Sequence, residues 1–217
     1  MRASHLRSLF FIFFALIAPS NAQQKWTFEL CGMLPYNLSL PLTIRQTNQP
    51  DITLTAQYSS EPFITPFCWV WRIGHWTDHQ SWELQAIHHK LYLDNKPPEV
   101  GSFSITHGLN LVTVNRAWSA DGYVVRAGAG VVLAHPESTV RGKPFREDEG
   151  IFGMGYYMTG PALIAGAGRQ FRLTGGLFLT LEAMAAASYA DVPINDGEAH
   201  LYNVVFQLDF GLGHSFE

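Results

Sequence analysis

Residues 201–216 read LYNVVFQLDFGLGHSF, and the chain there changes character at every step. Tyr202, Val204, Phe206, Leu208, Phe210, Leu212, His214 and Phe216 form an apolar, largely aromatic set. Asn203, Val205, Gln207, Asp209, Gly211, Gly213 and Ser215 form a set of mostly small or polar residues between them. Successive side chains of a strand point to opposite faces, so this period of two predicts a long β-strand with two unlike faces.

The same alternation recurs upstream. Tyr123, Val125, Ala127, Ala129, Val131 and Leu133 alternate with Val124, Arg126, Gly128, Gly130 and Val132. Leu177 to Met184, Ile52 to Tyr58 and Leu38 to Arg45 behave alike, the last carrying Pro41, which cannot donate to a ladder. Ten strands are expected: 26–31, 37–45, 51–58, 68–75, 81–93, 102–118, 123–134, 156–171, 176–189 and 201–216. The links 119–122 and 172–175 are tight; 135–155, with seven charged residues, and 190–200 are long. Short turns at one end and long loops at the other are the rhythm of an up-and-down transmembrane barrel. Counting back from a periplasmic C-terminus puts 135–155, 94–101 and 59–67 outside, and 119–122, 75–81 and 46–50 in the periplasm. A periplasmic start then requires an even strand number. Ten is favoured, and eight works if the first two segments are not in the wall.

Composition decides which face meets what. Charged residues are only 15% of the chain and four of them are lysines, whereas 47% is hydrophobic and 13% aromatic. A water-facing barrel would carry lysine and glutamate on its outer face. Here the non-apolar face is built of Gly, Thr, Gln and Ser with Arg72, Glu83, Arg126, Glu182 and Asp209, which suits a narrow, packed polar interior. Trp69, Trp71, Trp76, Trp118, Tyr123, Tyr157, Phe171, Tyr189, Tyr202 and Phe216 gather near strand ends, as interfacial girdles do. The net charge of −4 lacks the basic footprint of a nucleic-acid binder.

Residues 1–22 read as a secretory signal peptide. Arg2 and Arg7 precede the apolar run LFFIFFALIA, and Ser20 and Ala22 stand at −3 and −1 of a cleavage site. The expected mature chain is 23–217, with net charge −6 (−4 less the two arginines). Cys31 and Cys68 are expected at the external ends of their strands, as two separate thiols.

This chain resembles the small bacterial outer-membrane β-barrel proteins. The resemblance is one of pattern over most of the mature chain and is most specific in the last strand. In that family a terminal strand of alternating aromatics ending in Phe is read by the barrel-assembly machinery; here Glu217 follows Phe216. It implies the outer membrane as location, and outer-membrane lipid and the assembly machinery as partners.

For function, a barrel of eight to ten strands is nearly filled by its own side chains, which disfavours a diffusion porin. The leading expectation is a structural or surface-interaction role through external loops, 135–155 foremost, with an unidentified surface partner. The alternatives are an outer-leaflet lipid-modifying enzyme and a soluble periplasmic lipocalin-like barrel. No GxSxG, HExxH or P-loop is present, and neither a cofactor nor a metal is expected. Pairing about 97 and 98 would set His88 opposite His107 and Lys90 opposite Ile105. Both imidazoles would then face lipid near the outer leaflet, with Lys90 above them, for headgroup contact or, in the enzyme reading, as bases. Ser104 would lie on the other face, leaving that cluster without a nucleophile.

Overall fold

The computed structural model describes residues 24–145 and 149–216. The signal peptide expected over 1–22 lies outside them, as do 146–148 of the longest loop. The described residues form strands and connectors without a helix. In chain order the strands are β1 (Gln24–Asn37), β2 (Leu40–Gln46), β3 (Ile52–Ala56), β4 (Tyr58–Ser59), β5 (Trp69–Thr77), β6 (Gln80–Leu93), β7 (Val100–Ala120), β8 (Tyr123–Ala134), β9 (Glu137–Val140), β10 (Lys143–Pro144), β11 (Tyr157–Arg172), β12 (Leu177–Ile194) and β13 (Gly197–Phe216).

Eight of these close a ring: β1, β5, β6, β7, β8, β11, β12 and β13, each antiparallel to the next, with β13 returning to β1 from Trp26↔Phe216 to Asn37↔Val205. The wall therefore has eight strands, where ten were favoured. The segments 37–45 and 51–58 stand above the wall. β2 continues β1 up the same edge of β13: Asn37 faces Val205 and Leu42 faces Leu201, so the register slips by one across 38–39. That jog reads in sequence as a break between strands. Pro41 lies just beyond the last β13 pair, Leu201↔Leu42, so its missing N–H costs that ladder nothing. β3 descends against β2, β4 against the top of β6, and β5 completes the descent. The 46–50 turn is thus an external hairpin tip and not a periplasmic link. Likewise 190–200 is no long loop, because β12 and β13 pair down to Ile194↔Gly197.

The outer face is the apolar one. Leu30, Leu84, Val114, Val125, Leu163, Leu181, Phe206, Leu208 and Leu212 are all 43–61% exposed. Trp26, Trp82, Trp118, Tyr123, Phe171 and Phe216 ring the periplasmic end, and Tyr36 and Tyr202 stand near the external end. A band of this kind has no stable home in water and fits the hydrocarbon and interfaces of a bilayer. The water-borne lipocalin-like alternative needs the opposite orientation. Trp76 departs from the girdle expectation: it points inward, 3% exposed, and donates from Nε1 to Thr27 Oγ1 at 3.2 Å.

Inside, the barrel is filled in two layers. The lower layer is ionic. Arg72 Nη1 reaches Glu29 Oε2 at 3.1 Å and its Nη2 reaches Glu182 Oε2 at 3.3 Å. Arg126 Nη1 reaches Glu83 Oε2 at 2.8 Å, and its Nε lies 3.0 Å from Glu182 Oε1. Arg72 Nε donates to Gln85 Oε1, and Thr180 donates to the same Glu29 Oε2 that Arg72 reaches. Buried charges persist only with such partners. Gly166 and Gly213 make the room: a Cβ at either would press into Glu182 or Phe178. The upper layer is apolar and includes Cys31, Met33, Val70, Ile87, Leu111, Val132, Ile164 and Val205. Cys31 sits here, within β1 and opposite Val70, and not at the external end of its strand. It and Cys68 are separate buried thiols.

Candidate functional site at the outer rim

β7 has 21 residues, about 70 Å of strand at ~3.3 Å each, whereas a spanning strand needs only about 9–11. The external half of the barrel consequently stands clear of the membrane, and three hairpin tips close it as a crown. Arg141 donates from Nη1 to Gln46 Oε1 at 3.1 Å and from Nη2 to the Pro50 carbonyl at 2.8 Å. Gln46 Nε2 donates to the Asn195 carbonyl at 2.9 Å, and Asn195 Nδ2 donates to the Pro144 carbonyl at 3.1 Å. Lys143 Nζ pairs with Asp196 Oδ2 at 2.6 Å. Beneath these contacts lie Leu42, Ile44, Ile52, Val140, Val192 and Ile194, all buried. The β2–β3, β9–β10 and β12–β13 hairpins form one packed body, so the charged residues of 135–155 that the structure describes are partly structural.

The sequence-derived cluster of His88, Lys90 and His107 does not assemble. All of β6 up to His89 pairs with β7 on residue sums of 198, as in His88↔Asn110, and from Leu91↔Ile105 the sum is 196. Residues 106–108 therefore bulge out against Lys90 alone, with Gly108 at φ 113°, where only glycine is at ease. His88 sits opposite Asn110, not His107. It does lie on the outer face, but Trp69 stacks on it at 5.2 Å and Asn110 Oδ1 is 2.8 Å from its Nδ1, leaving it 6% exposed. Lys90 lies opposite the bulge, with Leu91 in the place expected for it across from Ile105. It is fully buried, because the excursion 60–68 folds over it and the Ile64 carbonyl accepts its Nζ proton at 2.7 Å. That arrangement removes Lys90 from headgroup contact. Within the excursion, burial pushes the Cys68 thiol up from its usual range.

The bulge gives His107 different neighbours. His107 Nδ1 lies 3.1 Å from Glu137 Oε1, and His135 Nδ1 lies 3.8 Å from the same oxygen. The two imidazoles pack at 4.8 Å between centroids, and Tyr156 closes edge-on over His135 at 5.0 Å. Thr106 donates its hydroxyl to Glu137 Oε1. The backbone fixes all of this: His135 N donates to the Gly108 carbonyl at 3.2 Å, Tyr156 donates to the His107 carbonyl at 3.1 Å, and Glu137 pairs with Ser104. His135 and Glu137 were not singled out by sequence reasoning; the signal that leads to them is the tight 119–122 turn, whose hairpin register from Ala120↔Tyr123 to Leu109↔Ala134 returns residue 135 to Gly108.

At the opposite end, a vestibule of about 960 Å³ opens beside the periplasmic turns, lined by Lys25, Trp76, Gln170, Arg172 and Phe178 among others. Gln170 donates to Glu29 Oε1 at 3.1 Å, so the vestibule borders the ionic layer.

No protein-family model matches this sequence, and no curated relative does. Solved structures do. The solid-state NMR structure of outer membrane protein AlkL in lipid bilayers is similar over 94% of this chain and 96% of its own, at TM-score 0.53 and 11% identity. Neisserial surface protein A aligns over 89% of this chain and 97% of its own, at TM-score 0.42 and 11% identity. Ail of Yersinia pestis aligns over 90% and 99%, at TM-score 0.39 and 9% identity. The likeness to AlkL is one of fold. Joined to the apolar outer band, it gives this chain the fold of an integral membrane β-barrel, with that band in contact with membrane lipid.

Proposed function

We propose that this barrel acts at its external surface, as a non-conducting scaffold that presents the crown and the outer rim to molecules outside the cell. The observation that carries the reading is the division of the molecule. The spanning half is filled by an ionic layer and an apolar layer, which supports neither a diffusion pore nor a through-channel. The external half is built up far beyond what spanning requires and is cross-tied into one body. Rigid scaffolds of this kind carry function on the loops they hold. Assembly through the barrel-assembly machinery belongs to the same proposal, motivated by the terminal strand ending in Phe216.

The lipid-modifying reading is the weaker one. A relay needs an imidazole between a hydroxyl and a carboxylate. Here the Thr106 hydroxyl and Glu137 Oε1 both meet the same His107 nitrogen, Nδ1, at 3.4 and 3.1 Å, and the hydroxyl donates to Glu137, so the imidazole does not bridge the two.

The test replaces residues 142–155 by a short Gly-Ser linker. The product is expected to remain a heat-modifiable barrel while cells show the same surface defect that deletion of the whole chain produces. Absence of that defect, or steady ion conductance by the intact barrel in planar bilayers, overturns the proposal.

A further inference from the structure

We infer that His107, His135 and Glu137 form a binding site for one divalent transition-metal cation, of which Zn²⁺ is the best fit. Two imidazole nitrogens and one carboxylate oxygen are a donor set that zinc takes with three protein ligands and one open position. Calcium and magnesium prefer all-oxygen sites and are disfavoured.

Three observations carry the assignment. The first is distance. The three ligand atoms all lie within 4.8 Å of one another, and two separations are 3.1 and 3.8 Å. The edge of a tetrahedron with metal–ligand bonds of about 2.0–2.1 Å is roughly 3.3 Å. The separations of 3.1 and 3.8 Å lie on either side of that edge.

The second is an orphan. His135 is 7% exposed, and its Nδ1 has no hydrogen-bond partner although it points at Glu137 across 3.8 Å. A buried nitrogen left unpaired costs free energy that a cation between it and Glu137 would recover.

The third is preorganisation. Each ligand is held by groups outside the donor set: His107 by the bulge and Tyr156, His135 by its backbone bond to Gly108 and by the Tyr156 ring, Glu137 by Thr106 and Ser104. Metal sites rest on such outer support. The open position faces outward, since the His107 side chain is 57% exposed. A bound ion could therefore accept an external anionic or imidazole ligand, which deepens the surface-contact reading without depending on it.

The experiment titrates ZnCl₂ alone into the chelator-stripped, refolded full barrel in detergent, followed by calorimetry. One ion per barrel with micromolar affinity is expected, undisturbed by millimolar Mg²⁺. His107→Asn and Glu137→Gln should each weaken binding by about a hundredfold or more, at or beyond the cost of losing an outer-shell partner. His200→Asn, at the separate Asp191–Glu198 cluster, should leave it unchanged. Heat-modifiable mobility confirms folding of each variant, and His107 is exposed enough for its variant to keep the fold whatever His135 variants do. Absence of binding below about millimolar Zn²⁺, or binding equal in His107→Asn and the parent barrel, overturns the site; either result leaves the crown's role untouched.

Discussion

Arg126 Nε lies 3.0 Å from Glu182 Oε1 inside the barrel, and both side chains are 1% exposed. The same guanidinium reaches Glu83 at 2.8 Å, so one cation holds two carboxylates from strands on opposite parts of the ring. Removing one partner of such a group strands the others in a place water does not reach. Arg126→Met is expected to destabilise the barrel by about 3–5 kcal/mol, read from its urea unfolding midpoint in phospholipid vesicles. Adding Glu83→Gln should recover part of the loss. A midpoint within error of the parent would show that the ionic layer is not structural.

Leu208 lies midway along the lipid-facing run of β13 and is 52% exposed. Leu208→Arg is expected to cost about 2–4 kcal/mol, the penalty for a cation near the bilayer midplane, and Leu173→Arg at a periplasmic turn about 0–1. Both residues are equally open, so equal costs would mean that the outer face is not in lipid.

Arg141 ties the β9–β10 turn to Gln46 and to the Pro50 carbonyl. Arg141→Ala leaves the spanning half intact, and its cost should stay near 1 kcal/mol, as for other exposed polar contacts. The effect is local. Amide exchange at Thr47, whose N–H bonds to the Asp196 carbonyl, should speed up, while exchange at Leu208 stays unchanged. Uniform protection in both proteins would show that the crown does not depend on this contact.

What the sequence made legible is what period two controls. The face that meets lipid and the face that holds Arg72, Glu83, Arg126, Glu182 and Asp209 follow from alternation and composition alone, because a one-residue slip would reverse every side chain. The strand number did not follow, because the jog at 38–39 looks like a strand end and Pro193, Asn195, Asp196 and Gly197 look like a loop, though β12 and β13 pair through Ile194↔Gly197. The rim site was hidden for a related reason. Two residues more on β7 than on β6 between His89 and Leu91 shift the hairpin register, and this separates His88 from His107. The true neighbours of His107 come from just beyond β8, which the β7–β8 hairpin register carries back to Gly108 and the β9 pairing to Ser104.

An eight-stranded wall with a crown outside the cell differs from a ten-stranded wall at the tip 47–50, which lies outside in the first and in the periplasm in the second. Gln49 is exposed there, and the native thiols Cys31 and Cys68 are 2% and 3% exposed and should stay silent. The measurement is labelling of Gln49→Cys in intact cells by a membrane-impermeant maleimide. Eight strands predict full labelling without permeabilising the outer membrane; labelling only after permeabilisation would put this turn in the periplasm and contradict the account.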